Sequence, residues 1–277
     1  MHLLVLTDFS PAADQALAYA DALAVQLHAT LVLLHVQRTS ILDSEALTGS
    51  LSPLSEGEIA AALLQRRNGL SAPVVTEATV ARVAEAATAA VQRYQPVLLL
   101  LGRPAATADS PEVVGHTTAL KLLGHLPCPL LIVPEKASAP MPPQCVAIAA
   151  DNQPFTLFPQ AEPVVAWLHR LPAQYTIVHV AEPEDNDSAV VACRQVMASG
   201  LLPATAHPRH HGVRHLSVAD GIAQGVQETE AELLVAQVHR HTWLGDLFHH
   251  SVTARLVQRA TLPVLLLPIN GSSSIIG

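Results

Sequence analysis

The chain repeats itself, and that constrains its fold more than any other feature. PLLIVP at 129–134 returns as PVLLLP at 263–268, an offset of 134, and LLVLTD, ending at Asp8, returns as VAIAAD, ending at Asp151, an offset of 143. Similarity at a nearly fixed period over 277 residues points to two copies of one unit, each large enough for its own core.

The order of elements is the same in both copies. In the first, a strand at 3–7 leads to a helix opening at Pro11, with Ser10 as its cap and Pro at the first helical position. A strand at 30–36, a helix near 57–67, a strand near 73–79, a helix near 82–94 and a strand at 97–101 follow. A long loop, a helix near 115–125 and a strand at 130–133 complete the unit. The second copy reads as strands at 145–150, 175–180, 209–216, 233–238 and 264–267, with helices near 157–170, 188–198, after Ser217 and near 250–260. Strands alternating with helices predict an α/β fold in each copy, a five-stranded parallel sheet with helices on both faces, Rossmann-like or flavodoxin-like. The Pro-, Ala- and Ser-rich stretch EKASAPMPPQ (135–144) reads as the connection, giving domains at 1–136 and 143–270, a linker at 137–142 and a tail at 271–277.

Composition fits this reading. Half of the residues are apolar but only 3% are aromatic, so Leu, Val and Ala must build the cores, as they do where helices cover buried parallel strands. The strongest apolar runs are strand-length and bounded by Pro or Gly, which argues against a membrane span. MHLLVLTDFS enters a strand pattern directly, and the expectation is a cytoplasmic protein. Lys and Arg number 15 against 23 Asp and Glu, a formal charge of −8, without the basic run that a nucleic acid requires. Cys128, Cys145 and Cys193 are too scattered for a disulfide framework or a zinc motif.

In open parallel sheets ligands bind beyond the carboxyl ends of the strands, where the strand order reverses. The loops after Asp8 and after Leu101 are the candidates. Asp8 could accept from a ribose hydroxyl or an adenine amine, while Gly102 and Gly115 would let backbone N–H groups approach phosphates. The plainer alternative is that Asp8 caps a turn and the glycines end a strand and begin a helix.

VLTDFSPAADQALAYADALA, the VLLLLG strand with its long loop, and GHTTALKLLGHLPCPLLIVPE resemble the universal stress protein family, as do VAIAADN and ELLVAQVHRHTWLGDLFHHSVTARLVQRATLPVLLLP in the second half. The likeness covers nearly the whole chain, which looks like a tandem member. It implies the strand order 3-2-1-4-5 in each copy. It also implies face-to-face pairing of the two domains near PLLIVP and PVLLLP, a homodimer of the tandem chain, and protein partners that the sequence does not identify. Nucleotide-binding members carry G-x2-G-x9-G-[ST] after strand 4 and an Asp ending strand 1. The implied pocket in domain 1 is Asp8, Val36, Gly102, Ala105, Gly115, His116 and Thr117. Its spacing is intact, but Ala105 replaces the middle glycine, His116 stands at the hydroxyl position, and Thr117 follows one residue late. In domain 2 the three glycine positions fall on Gln237, Arg240 and His250, with Ser251 alone retained. The expectation is a degenerate pocket in domain 1 and a lost one in domain 2.

The 15 histidines include two clusters, His207, His210, His211 and His215, and His239, His241, His249 and His250. Neither matches a zinc signature, so no metal site is expected. His35 and His179, at equivalent places near the ends of the second strands, are expected to be packed and bonded to backbone. There is no Walker motif or G-x-S-x-G elbow, and Ser251 lacks an orienting carboxylate. No catalytic residue is therefore assigned. Two readings stay open: a non-catalytic stress-response or regulatory module, and an ATP-binding switch or slow ATPase acting through domain 1 with Mg2+.

Overall fold

The computed structural model describes residues 1–37, 54–105, 122, 128–137, 141–184, 189–239 and 252–271. They form two compact units, Met1–Leu126 with Val133–Lys136, and Pro127–Ile132 with Ala137–Gly277.

In unit one, β1 (His2–Thr7), α1 (Pro11–Leu27), β2 (Thr30–Gln37), α2 (Glu56–Arg67), β3 (Val74–Val80), α3 (Val83–Tyr94) and β4 (Leu98–Arg103) follow one another, and the first repeat ends in β5 (Leu130–Pro134). The strand order is β3-β2-β1-β4-β5. β1 pairs in parallel with both β2 and β4, Leu3 standing against Leu31 on one side and Leu98 on the other. Leu3–Leu6, Leu31–Leu34 and Leu98–Leu101 are buried, the unbroken apolar runs of strands covered on both faces. β3 is the edge, and its VVTEATV is half-exposed along its length.

α1 lays a face of small residues on the sheet, with Ala12, Ala13, Ala16, Ala20 and Ala24 all buried. Its start is fixed as the sequence predicts, by Pro11 and by Ser10, whose Oγ accepts from the Ala13 N–H at 3.2 Å. α2 opens on a capping box that the sequence reading had not singled out, Ser55 and Glu58 exchanging backbone and side-chain bonds. The helix expected near 115–125 lies outside the described residues except for Leu122, which is helical and buried.

Unit two contains β6 (Cys145–Ala149), β7 (Phe155–Leu157), α4 (Glu162–Arg170), β8 (Gln174–Ala181), α5 (Val190–Ala198), β9 (Arg209–Arg214), α6 (Val218–Glu228), β10 (Leu233–His239), α7 (Val252–Arg259) and β11 (Val264–Gly271). Its order, β9-β8-β6-β10-β11, repeats 3-2-1-4-5. The register repeats too, since Val146 stands against Tyr175 and Leu233 as Leu3 does against Leu31 and Leu98. Within unit two, Leu130, Leu131 and Ile132 pair antiparallel with Leu266, Leu265 and Val264.

The second repeat departs from the expectation after β6. The helix expected over 157–170 begins only at Glu162, behind a 3-10 turn at Pro159–Ala161. Phe155–Leu157 instead forms a short strand, antiparallel to Ile269–Gly271, which carries β11 past the expected 264–267. Pro159 opens the 3-10 turn and Pro163 stands in the first turn of α4, where a residue without an N–H is tolerated, whereas both would interrupt a helix running from 157. In unit one a Cβ on Gly102 would lie 2.1 Å from the Ala12 carbonyl oxygen and 2.6 Å from the Ala13 nitrogen, so the first turn of α1 rests on a residue without a side chain. In β10 the corresponding residue is Gln237.

Candidate functional site

The carboxyl ends of β1, β2 and β4 hold the described residues among those singled out by sequence, and the polar groups there are engaged by their own chain. The Asp8 Oδ1 accepts from the Ser10 N–H at 3.0 Å, and the Thr7 Oγ1 accepts from the Phe9 N–H at 3.0 Å. These side-chain-to-backbone bonds shape the loop ahead of α1. The second repeat keeps the device, with the Asp151 Oδ1 accepting from the Gln153 N–H at 2.9 Å.

The paired histidines secure the same loops from the neighbouring strand. The His35 Nδ1 lies 2.9 Å from the Thr7 carbonyl, and the His179 Nδ1 lies 2.9 Å from the Ala150 carbonyl. A carbonyl can only accept, so Nδ1 carries the proton in both rings. Both side chains are buried, in the structural role expected of them. Val36, the next residue after His35, is half-buried and stands against Thr79 of β3.

Phe9 was not foreseen. Its backbone lies in the left-handed region, φ 66°, which bulky residues seldom adopt. Its ring stacks on His35, with centroids 4.3 Å apart and planes 11° from parallel. The Arg66 guanidinium lies 4.7 Å from the same ring's centroid. Arg66 is itself fixed, donating to both oxygens of Asp14 at 2.6 and 2.9 Å and to the Phe9 carbonyl at 3.1 Å. No periodicity links residues 9, 14, 35 and 66, and only the fold brings them together.

On the β4 side, Gly102 supports the first turn of α1. The Ala105 N–H donates to Glu135 Oε2 at 3.1 Å, and the Glu135 N–H donates to the Arg103 carbonyl at 2.9 Å. One backbone donor at the start of this loop thus already holds a carboxylate, from a residue the sequence reading left aside. Burial holds the Arg103 guanidinium below its ordinary pKa. Gly115, His116 and Thr117 lie outside the described residues.

In the second repeat Gln237 stands where Gly102 stands in the first, and its Nε2 is buried with no hydrogen-bond partner among the described residues. Arg240, His250 and Ser251 lie outside them, as do His241 and His249. Of the other cluster, His211 Nε2 bonds Glu228 Oε2 at 2.6 Å, and His215 Nδ1 accepts from the Ser217 N–H at 2.9 Å. Bonds from Gln224 and His211 hold the Glu228 carboxyl below its usual range. Among the described residues no three His, Cys, Asp or Glu side chains are grouped to hold a metal ion.

Two cavities lie elsewhere. One of about 700 Å³ is lined by Gln37, Ile59, Leu63, Thr76 and Val80 in unit one, and one of about 330 Å³ by Cys145, Thr176, Arg209, His211 and Glu228 in unit two. Neither includes Asp8, Gly102 or Ala105. No described helix is long and apolar enough to cross a membrane.

The family model described as "Universal stress protein family" matches residues 1–134 and 154–268. Among solved structures, a universal stress protein from Archaeoglobus fulgidus DSM 4304 is similar over 96% of this chain and 97% of its own, with 16% identity and a TM-score of 0.64. One described as a putative universal stress protein, from Pseudomonas aeruginosa UCBPP-PA14, is similar over 97% of this chain and 93% of its own, with 16% identity and a TM-score of 0.62. At these identities the structures establish a shared fold. Comparison with curated proteins finds no match.

Proposed function

The chain belongs to the universal stress protein family, and from that premise we propose that it is a non-catalytic stress-response or regulatory module with a weakened nucleotide pocket in domain 1 and none in domain 2. The proposed domains are 1–136 and 143–270, pairing within one chain, with a homodimer of the tandem chain and unidentified protein partners in the cytoplasm. Neither nucleic acid nor membrane is a partner in this reading.

One observation carries the weakening. The groups that would meet a nucleotide at the described edge of the pocket already have partners within the chain: Asp8 holds the Ser10 N–H, Ser10 holds the Ala13 N–H, and the Ala105 N–H holds Glu135. A ligand must displace these bonds rather than fill open valences, and each exchange returns little free energy. The pocket comprises Asp8, Val36, Gly102, Ala105, Gly115, His116 and Thr117, with ATP as its ligand and Mg2+ entering with the phosphates. In domain 2, Gln237 places a side chain where phosphate would need to reach backbone.

A second reading, an ATP-dependent switch or slow ATPase, draws on the intact spacing from Gly102 to Gly115. Titration calorimetry of ATP with Mg2+ tests the first reading. An Ala105→Gly variant is expected to bind more tightly than the wild type, because the glycine widens the backbone's choice at that turn. Equal affinity would refute the weakening at Ala105. Phosphate release that tracks occupancy of domain 1 would favour the ATPase.

A further inference from the structure

β3 ends the strand order of unit one and, among the described residues, pairs only with β2. The Leu31 N–H donates to the Pro73 carbonyl at 2.8 Å, and the Ala81 N–H donates to the Gln37 carbonyl at 3.2 Å. In a parallel ladder that phase turns the backbone of the odd-numbered residues toward β2 and leaves the N–H and C=O groups of Thr76, Ala78 and Val80 along the outer edge. Side chains alternate as well. The Glu77 carboxylate accepts from Arg93 and from the Tyr94 hydroxyl of α3, whereas Thr76, Ala78 and Val80 share the lining of the 700 Å³ cavity with α2.

Two features set this edge apart. It carries apolar surface, since Leu64 of α2 is 54% exposed and Val80 63%. It also lacks the charges that commonly guard an edge strand. On the matching strand of the second repeat, β9, Arg209, His210 and Arg214 are exposed; in VVTEATV the one charged residue, Glu77, is tied to α3.

We propose that this edge is the surface on which two copies of the chain pair, β3 antiparallel to the second copy's β3 about a two-fold axis at Ala78. The inference rests on the reading of the tandem chain as a homodimer and gives that homodimer its interface.

Self-complementarity selects a second copy as the occupant. With Ala78 on the axis, Ala78 meets Ala78 and Thr76 meets Val80 on either side, each pair exchanging its outward N–H and C=O groups. Glu77 then stands opposite Thr79, which avoids the like-charge pair that an axis at Glu77 would create. The same axis sets the two α2 helices antiparallel on one face of the joined sheet. Glu56, in the first turn of one, is brought toward Arg67, in the last turn of the other, and the reverse pair forms by symmetry. Both residues line the cavity beside the edge, as do Ala60 and Leu64 between them. Backbone, apolar surface and charge thus match under one operation.

The test is sedimentation velocity of the whole chain over a range of concentrations, with circular dichroism melts to establish that each variant is folded. Val80→Lys places a charge on an exposed side chain, and Ala78→Pro removes an N–H that faces away from β2, a position where an edge strand tolerates proline. Each should weaken dimerisation roughly tenfold, the scale of one or two backbone bonds lost per dimer. Arg67→Glu should weaken it roughly threefold, and adding Glu56→Arg should restore it. Amide hydrogen exchange at Thr76, Ala78 and Val80 should be slow in the wild-type dimer and fast on dilution to the monomer. If wild type, Ala78→Pro and Val80→Lys dimerise equally, the β3 interface is wrong while the homodimer stands. A wild type that is monomeric at every concentration overturns both, and slow exchange at the three amides in that monomer would assign the edge to the chain's own residues.

Discussion

Substituting Gly102 by Ala separates packing from ligand contact. The added Cβ would lie 2.1 Å from the Ala12 oxygen, 2.3 Å from its carbonyl carbon and 2.6 Å from the Ala13 nitrogen. All three are backbone atoms of the first turn of α1, so no flexible side chain can yield. Overpacking of a tight site costs about 1–3 kcal/mol. Moving this turn also loosens the bond from the Ala13 N–H to Ser10 Oγ, an N-cap interaction worth about 1 kcal/mol. The sum, about 2–4 kcal/mol, corresponds to a fall of roughly 10 °C in the melting of a unit of this size. The assay is thermal unfolding by circular dichroism without nucleotide, beside Gly57→Ala, whose new Cβ meets nothing within 4 Å. That control should melt within a few degrees of wild type, on the stabilising side, because Ala is the better helix former. A Gly102→Ala protein that melts with the wild type would refute the contact between β4 and α1. Confirmation would mean that lost nucleotide binding in this variant cannot be assigned to phosphate contact alone.

Three further outcomes follow from the bonds described. Burial raises the Tyr175 hydroxyl to a pKa of about 12, and it donates to the Leu168 carbonyl. Its folded pKa lies above its unfolded value, so the stability it contributes is complete below about pH 10 and is lost, by about 2–3 kcal/mol, as pH rises toward 12; the advantage of wild type over Tyr175→Phe should shrink across that window in denaturant titrations. The Glu228 carboxyl is held low by Gln224 and then His211, and Asp220 by Ser217 and, among smaller contributions, Arg259. Both contribute stability present above about pH 4 and lost as pH falls through their lowered folded values, so Glu228→Gln should flatten the acid limb of a pH–stability profile. Glu135→Gln removes the negative charge from the carboxylate bonded to Ala105 and should strengthen ATP binding; unchanged affinity in calorimetry would show that Glu135 does not compete with phosphate.

Much of the fold was legible because it depends on patterns that sequence displays directly. Apolar runs such as LLLL at 98–101 and the repeated strings ending in Asp8 and Asp151 specify buried parallel strands in two copies of one unit, while the strand order 3-2-1-4-5 came from the family resemblance. The expected helix at 157–170 overlooked two prolines, and the strand at Phe155–Leu157 was not legible. Pro159 and Pro163, at the first positions of the 3-10 turn and of α4, do mark the late start locally, whereas the strand depends on a distant partner, Ile269–Gly271. The site divides in the same way. The turn around Asp8 and the backbone bonds of His35 and His179 could be anticipated from residue type and position. The stack of Phe9 on His35 and Arg66 joins residues 26 and 57 positions away, through a backbone conformation that no sequence rule assigns to Phe. The bond from Ala105 to Glu135 spans 30 positions and depends on β4 and β5 ending together.

The asymmetry between the repeats is the core of the account, and the stoichiometry of ATP with Mg2+ at saturation tests it most directly. Calorimetry or equilibrium dialysis on the whole chain should find one weak site, lost in Gly115→Val. Two sites per chain, or a single site that survives Gly115→Val, would place nucleotide binding in domain 2 and contradict it.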